Sequence, residues 1–325
     1  MTDKTQGRRP TASLKVLKKR AALLRQIRAF FYARDILEVD TPTLSIAGNT
    51  DPSIESFSTR YTGPGNTETL YLHTSPEFAM KRLLAANSGA IYQLCKVFRN
   101  GESGRQHNPE FTMLEWYRPG FDHHQLMDEV AELLDDVLGT SSTSITKTTY
   151  QQVFIDHAGL DPLDTDLSAL EQCAQQHGLE QVIGMDDATM DDWLDLLMDQ
   201  VVVPALDRGR VFIYNYPASQ SALAKISSSD FRIAERFELF IDSIEIANGF
   251  HELTDASEQR QRFEKENAKR ESSGLPQLPI DENLLEALES GLPHCAGVAL
   301  GIDRLLMLAA ELDSIAAVMT TSSTE

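Results

Sequence analysis

The chain of 325 residues is 42% hydrophobic and 24% charged, enough apolar material for the core of one large domain or two small ones. No run approaches the ~20 consecutive apolar residues of a membrane span, and the charged N-terminus lacks the apolar stretch of a secretion signal, so the expected compartment is the cytoplasm. Cys95, Cys173 and Cys295 are odd in number and lack C-x-x-C spacing, which speaks against a disulfide framework or a cysteine zinc site, and the net charge of -20 opposes polyanionic partners.

Residues 1–13 read as a flexible basic tail. Ten of the 29 basic residues lie before position 35, with Asp3 the only acid among them, so this end is a solvated basic face or a docking stripe for an acidic partner. Leu17, Ala21, Leu24, Ile27 and Phe31 recur at steps of three and four, predicting an amphipathic helix that packs on a sheet. Residues 36–42 are β-branched and extended, with Pro42 confining them to a strand start, edge or bulge. Residues 91–99 and 110–117 read as two strands joined by a long charged loop.

Residues 139–208 form an acidic insertion of helix-like segments, 167–176 and 190–203, between loops rich in Ser, Thr, Gly and Asp. Extended segments resume at 211–216 and 237–246, followed by a charged helix over 256–272. A glycine-punctuated strand from Gly297 leads into an apolar helix to about Leu312, and 320–325 reads as a disordered tail. The catalytic unit is thus expected over 14–319.

Joining a carboxylate to the α-phosphate of ATP requires no protein nucleophile. It requires orientation of the two partners and compensation of phosphate charge, for which arginines and metal-held carboxylates are suited. Arg99, at a strand end opening a charged loop, can fork two phosphate oxygens. Alternation along 110–117 puts Phe111, Met113, Glu115 and Tyr117 on one face, an apolar floor ending in a carboxylate and a phenol. A carboxylate there needs a cation or hydrogen-bond donors, and a ligand with two ammonium groups meets that need.

Read whole, Val97-Phe98-Arg99-Asn100 through His107-Asn108-Pro109-Glu110-Phe111 to Glu115-Trp116-Tyr117 resembles motif 2 of the class II aminoacyl-tRNA synthetases in its lysyl form. Residues 39–42 resemble motif 1 and 297–304 motif 3, in the family's order. The resemblance implies an α+β fold, a class II catalytic core with an antiparallel sheet flanked by helices and carrying the helical insertion. It implies a homodimer, because motif 1 pairs across a two-fold axis in that family.

By the same resemblance, Arg99, Glu245 and Arg304 are the catalytic residues. ATP would meet Arg99, Asn100, Gly101, Glu102, His107, Asn108, Glu245, Ile246, Gly301 and Arg304, with Glu245 holding Mg2+. Ser75, Pro76, Glu77, Glu115, Tyr117, Asn248, Glu252 and Ala299 would hold the amino acid.

Two departures bear on the substrate and on ATP. About 13 residues precede the first helix, which leaves no space for the N-terminal barrel of lysyl-tRNA synthetases, and Ala299 stands where they carry glycine. The resemblance then points to the truncated lysyl-synthetase paralogues that ligate (R)-β-lysine to a lysine of translation elongation factor P, with tRNA disfavoured as acceptor. Asn100-Gly101-Glu102 replaces the usual Asn-Glu, leaving Glu102 to reach the nucleotide or the ATP site weakened. A stand-alone amino-acid activator serving RNA or a small molecule, and a non-catalytic synthetase-like regulator, are the competing readings.

Overall fold

The protein is described from a computed structural model, over residues 10–64, 68–139, 145–179, 182, 185 and 188–321. The strands are β1 (Leu37–Glu38), β2 (Leu44–Ser45), β3 (Ser58–Tyr61), β4 (Glu68–Leu72), β5 (Ile91–Phe98), β6 (Glu110–Pro119), β7 (Ile145–Thr149), β8 (Arg210–Pro217), β9 (Ile233–Ile241), β10 (Ile244–His251) and β11 (Cys295–Gly301). The helices are α1 (Leu14–Tyr32), α2 (Glu77–Ala85), α3 (His123–Leu138), α4 (Tyr150–His157), α5 (Leu167–Gln176), α6 (Met190–Leu197), α7 (Val203–Ala205), α8 (Ala256–Ser272), α9 (Glu282–Gly291) and α10 (Ile302–Ala310).

One eight-stranded sheet, in the order β1-β5-β6-β11-β10-β9-β8-β7, organises the chain. It is antiparallel from β5 across to β8. A parallel strand is added at each edge, β1 on β5 and β7 on β8, so the expected antiparallel sheet is mixed at its margins. Of the stretch 36–42, Leu37 and Glu38 form the strand and Val39 continues its bonding by donating to the Tyr92 carbonyl of β5. The small sheet β2-β4-β3 is separate.

Alternation divides the large sheet into two faces. Leu114 and Trp116 of β6, Phe237 and Leu239 of β9, and Val298 and Leu300 of β11 pack under α1, α3 and α10 in the largest apolar cluster. On the opposite face Ile91, Tyr117 and Cys295 pack against α2, α9 and Phe263 of α8.

Ser13 caps α1 by accepting from the Val16 amide. The buried stripe of α1 runs through Val16, Leu23, Ile27, Phe30 and Phe31. Ala21, read as part of that stripe, is exposed because its single methyl is too small to decide which face turns inward. The basic residues divide between two roles. Arg20 turns into the core, Arg28 pairs with Glu38 and Arg34 with Glu132, while Lys15, Lys18, Lys19 and Arg25 face solvent.

The segment 139–208 begins with β7, which extends the sheet, and its helices pack Phe154, Leu170, Leu197 and Val202 against Val211 and Ile213 of β8 and Phe240 of β9. Where they are described, the two segments read as flexible tails are paired with each other. Ala12 is buried, and Thr11 and Ala12 donate backbone hydrogen bonds to Thr320 and Met319, because polar backbone groups at the core's edge must find partners. Residues 1–9 and 322–325, parts of both tails, lie outside the described residues. Among the described residues no helix is long and apolar enough to cross a membrane.

Candidate active site

A cavity of about 380 Å³ opens over β6, β10 and β11 on the face away from α1 and α3. Its floor is the alternation read from β6: Phe111, Met113, Glu115 and Tyr117 line it. Register brings Ala299 opposite Glu115 on one side and Asn248 on the other, so these three sit side by side on the floor. Glu245, Ile246, Glu252, Gly301 and Arg304 complete lining from the neighbouring strands and α10.

One end of the cavity is a cage of carboxylates. Glu115 accepts from Ser75 Oγ at 2.7 Å and from the Tyr117 hydroxyl at 2.6 Å. Burial, then the neighbouring Glu77, raises the Glu115 pKa to about 7. Burial also keeps the Tyr117 phenol protonated, with its pKa well above the ordinary value, so it stays a donor.

Glu252 is 1% exposed; its Oε2 meets Lys81, and no hydrogen-bond donor reaches its Oε1 among the described residues. Lys81 Nζ lies 2.6 Å from Glu252 and 2.6 Å from Glu77, sharing one charge between two carboxylates. Burial alone would lower the lysine's pKa, but Glu252 and Glu77 together hold it above the ordinary value. Glu252 itself is pushed up to about 8, by burial first, despite that lysine. Three carboxylates around one ammonium leave a buried surplus of acceptors, which a ligand carrying amino groups can satisfy.

Gly297 makes this packing possible. A Cβ there would stand 2.3 Å from the Tyr117 ring and 2.5 Å from Glu252 Oε1. The backbone of β11 must approach both side chains closely, and only glycine permits it.

The other end carries the arginines. Arg304 donates to the Glu245 main-chain oxygen at 2.9 Å and to its carboxylate at 3.2 Å, and bonds His107 Nε2 at 2.8 Å. Burial, followed by the Arg304 charge, lowers the His107 pKa, so the ring is neutral and its Nε2 accepts from the guanidinium. Arg99 lies over the Phe111 ring and donates at 3.4 Å to both the Thr74 carbonyl and Glu102. Asn108 is buried and donates to the Glu110 carbonyl at 2.6 Å.

Gly101 adopts φ +85°, a left-handed turn after β5, and Glu102 beyond it folds back into the cavity. Thus Glu102 reaches the site across the inserted glycine. Asn100 and Gly101, expected at the nucleotide, do not line the cavity: the Asn100 amide is turned to pair with the Glu55 carbonyl. Pro76 also stands apart, beginning α2 beside a smaller cavity of about 150 Å³, while Ser75 and Glu77 line both.

Sequence reasoning missed Lys81, although Glu77 and Lys81 at a helical spacing of four, directly after Thr74-Ser75-Pro76, were a readable signal. It also missed Arg236 and Glu238. Arg236 lines the cavity, donates to the Gln220 carbonyl at 2.7 Å and pairs with Glu238, which accepts from Tyr216. Glu245 raises the pKa of Glu238 through their charges, after burial and against Arg236, so the two carboxylates are within electrostatic reach. Hard carboxylate oxygens beside the arginine end fit Mg2+, with Glu245, of these two, the one that faces the cavity.

The site is thus an antiparallel floor with buried carboxylates at one end and the arginines Arg99 and Arg304 at the other. The chain belongs to the class II tRNA synthetases (D, K and N), whose family pattern its residues 5–324 match. Among curated relatives, the elongation factor P–(R)-β-lysine ligase of Pectobacterium carotovorum subsp. carotovorum (strain PC1) is 52% identical over 316 residues, 96% of each chain. The proteins of that name from Edwardsiella ictaluri (strain 93-146) and Salmonella typhi are 52% identical over 316 residues and 51% identical over 313, covering 96% and 95% of each chain.

Proposed function

We propose that this protein is an ATP-dependent ligase that activates (R)-β-lysine as its adenylate and transfers the β-lysyl group to the ε-amine of a lysine on translation elongation factor P. The observation that carries the reading is the buried cluster of Glu252, Glu115 and Glu77, three carboxylates around the single ammonium of Lys81, at one end of a cavity whose other end presents Arg99 and Arg304. The identity to ligases of that name over nearly their whole length supports the acceptor.

In this reading the two amines of the substrate meet the carboxylates, which leaves its carboxylate directed along the floor toward the arginines. That carboxylate attacks the α-phosphate and pyrophosphate leaves. Arg99 compensates charge at the α-phosphate, and Arg304 holds the far phosphates or adenine, kept in place by Glu245 and neutral His107. Mg2+, held by Glu245, would neutralise phosphate oxygens. Transfer follows when the acceptor amine attacks the acyl carbon and AMP departs. Glu102 is assigned to the nucleotide, and the protein acts in the cytoplasm as a homodimer.

Pyrophosphate exchange tests the activation step. Labelled pyrophosphate should enter ATP in the presence of (R)-β-lysine, and less with α-lysine. Absence of exchange with every amine tried would make the protein a non-catalytic binder.

A further inference from the structure

On the face of the sheet opposite the cavity, a second polar cluster is buried. Alternation places it: Asn248 and Glu252 of the β10 segment turn to the cavity, so His251, out of phase with them, turns away, and Glu235 does the same beside Arg236 of β9. His123, the first residue of α3, comes down on that reverse face. His123, Glu235 and His251 each offer one ligand atom, and these atoms lie within 4.8 Å of one another.

His251 Nδ1 meets Glu235 Oε2. His123 is 5% exposed, and neither of its ring nitrogens has a hydrogen bond of good geometry, although the Asn215 side chain lies beside it. A buried imidazole in that state costs free energy unless something accepts its lone pair. Two imidazoles and one carboxylate are the donor set of a borderline-soft divalent cation, and a poor one for Mg2+, which prefers oxygen. Glu235 is partly accessible, and exposed His294 packs edge-on against His251, so the cluster can be approached from solvent.

We propose that His123, Glu235 and His251 form a binding site for a divalent transition-metal ion, with Zn2+ the best match. Binding forms metal bonds to one nitrogen of each imidazole and to the Glu235 carboxylate, and releases to solvent any proton held between His251 and Glu235. The ion would staple the start of α3 to β9 and β10. It is distinct from the Mg2+ site inferred at Glu245, which lies on the other face.

Titration of the full-length, chelator-treated protein with Co2+, followed by visible absorption, tests this. One equivalent per chain should give the strong absorption of a low-coordinate nitrogen and oxygen site, displaced by Zn2+ and not by excess Mg2+. Affinity should fall at least ~10-fold in both His123→Asn and Glu235→Gln, and be kept in Glu245→Gln. Glu235→Gln preserves size and guards against a folding defect in the other variant, with circular dichroism as the check. The absence of a stoichiometric Co2+ signal in the wild type, or an unchanged signal in both variants, would overturn the site.

Discussion

Glu252 is the residue on which the amine end of the cavity turns. Its carboxylate is fully buried, and Gly297 is what leaves it space. Gly297→Ala should therefore displace Tyr117 and Glu252 and reduce pyrophosphate exchange about 100-fold, since ~1 Å of misplacement is enough for such a loss. Unaltered exchange would remove the close approach from the account. Ala299 sits between Glu115 and Asn248, where one methyl changes which amine position fits. Ala299→Gly should shift the ratio of α- to β-lysine exchange toward α-lysine by roughly 10-fold or more, the scale of about 1–3 kcal/mol for a methyl-sized change. The sign of the pH dependence also follows from these residues. Glu115 at about 7 and Glu252 at about 8 bind a cation only when ionised, so the KM for lysine-like substrates should fall as pH rises from about 6 to 8. A KM that is flat or rises over that interval contradicts the cage.

At the level of the elements, α1, α5, α6, α8, α10 and the strands β5, β6 and β8 were legible from their patterns, whereas α2, α3, α4 and α9 were not read and β9 and β10 were read as one extended run over 237–246. The face of β6 with Glu115 and Tyr117 was read correctly from alternation alone. The spacing of Glu77 and Lys81 was readable, but the burial of Lys81 was not, because a lysine in a short amphipathic helix ordinarily faces water and its partner Glu252 is brought to it only by tertiary packing. The parallel edge strands were hidden for a similar reason: β1 has two residues, too few for a period, and β7 joins the sheet through a partner far along the chain. The basic stripe of α1 showed charge but not direction. Arg20 leaves that stripe to reach Asp303 at 2.5 Å and Thr112 Oγ1 at 2.6 Å, and Asp303 also accepts from the Thr112 amide. This ties α1 to the start of α10 and to β6. Arg20→Ala strands a buried carboxylate and should cost about 3–5 kcal/mol. The thermal midpoint should then fall by roughly 10 °C, and a fall of less than about 2 °C would show the tie to be dispensable.

Across the whole molecule, carboxylates kept for ligands burden the folded state. Burial raises the pKa of Glu115 to about 7, of Glu252 to about 8, and of Glu266, which lines the cavity from α8 and accepts from the Thr50 hydroxyl, to about 7, all from an ordinary value of 4.5. The folded protein therefore holds protons that the unfolded chain has lost between about pH 4.5 and 8, and stability should decline as pH rises through that window. The net charge of -20 acts in the same direction through self-repulsion. Thermal midpoints of the ligand-free protein at pH 6 and pH 8 check this, with the lower value expected at pH 8; the reverse order would mean that these groups are not held protonated. Substrate amines should narrow the difference, because they stabilise the ionised carboxylates. The central claim joins the cage, the arginine end and the acceptor in one reaction, and mass spectrometry of elongation factor P incubated with the protein, ATP, (R)-β-lysine and tRNA tests it most directly. One lysine of the factor should gain the mass of a single β-lysyl group, and only when ATP is present; an unmodified factor alongside charged tRNA would contradict the account.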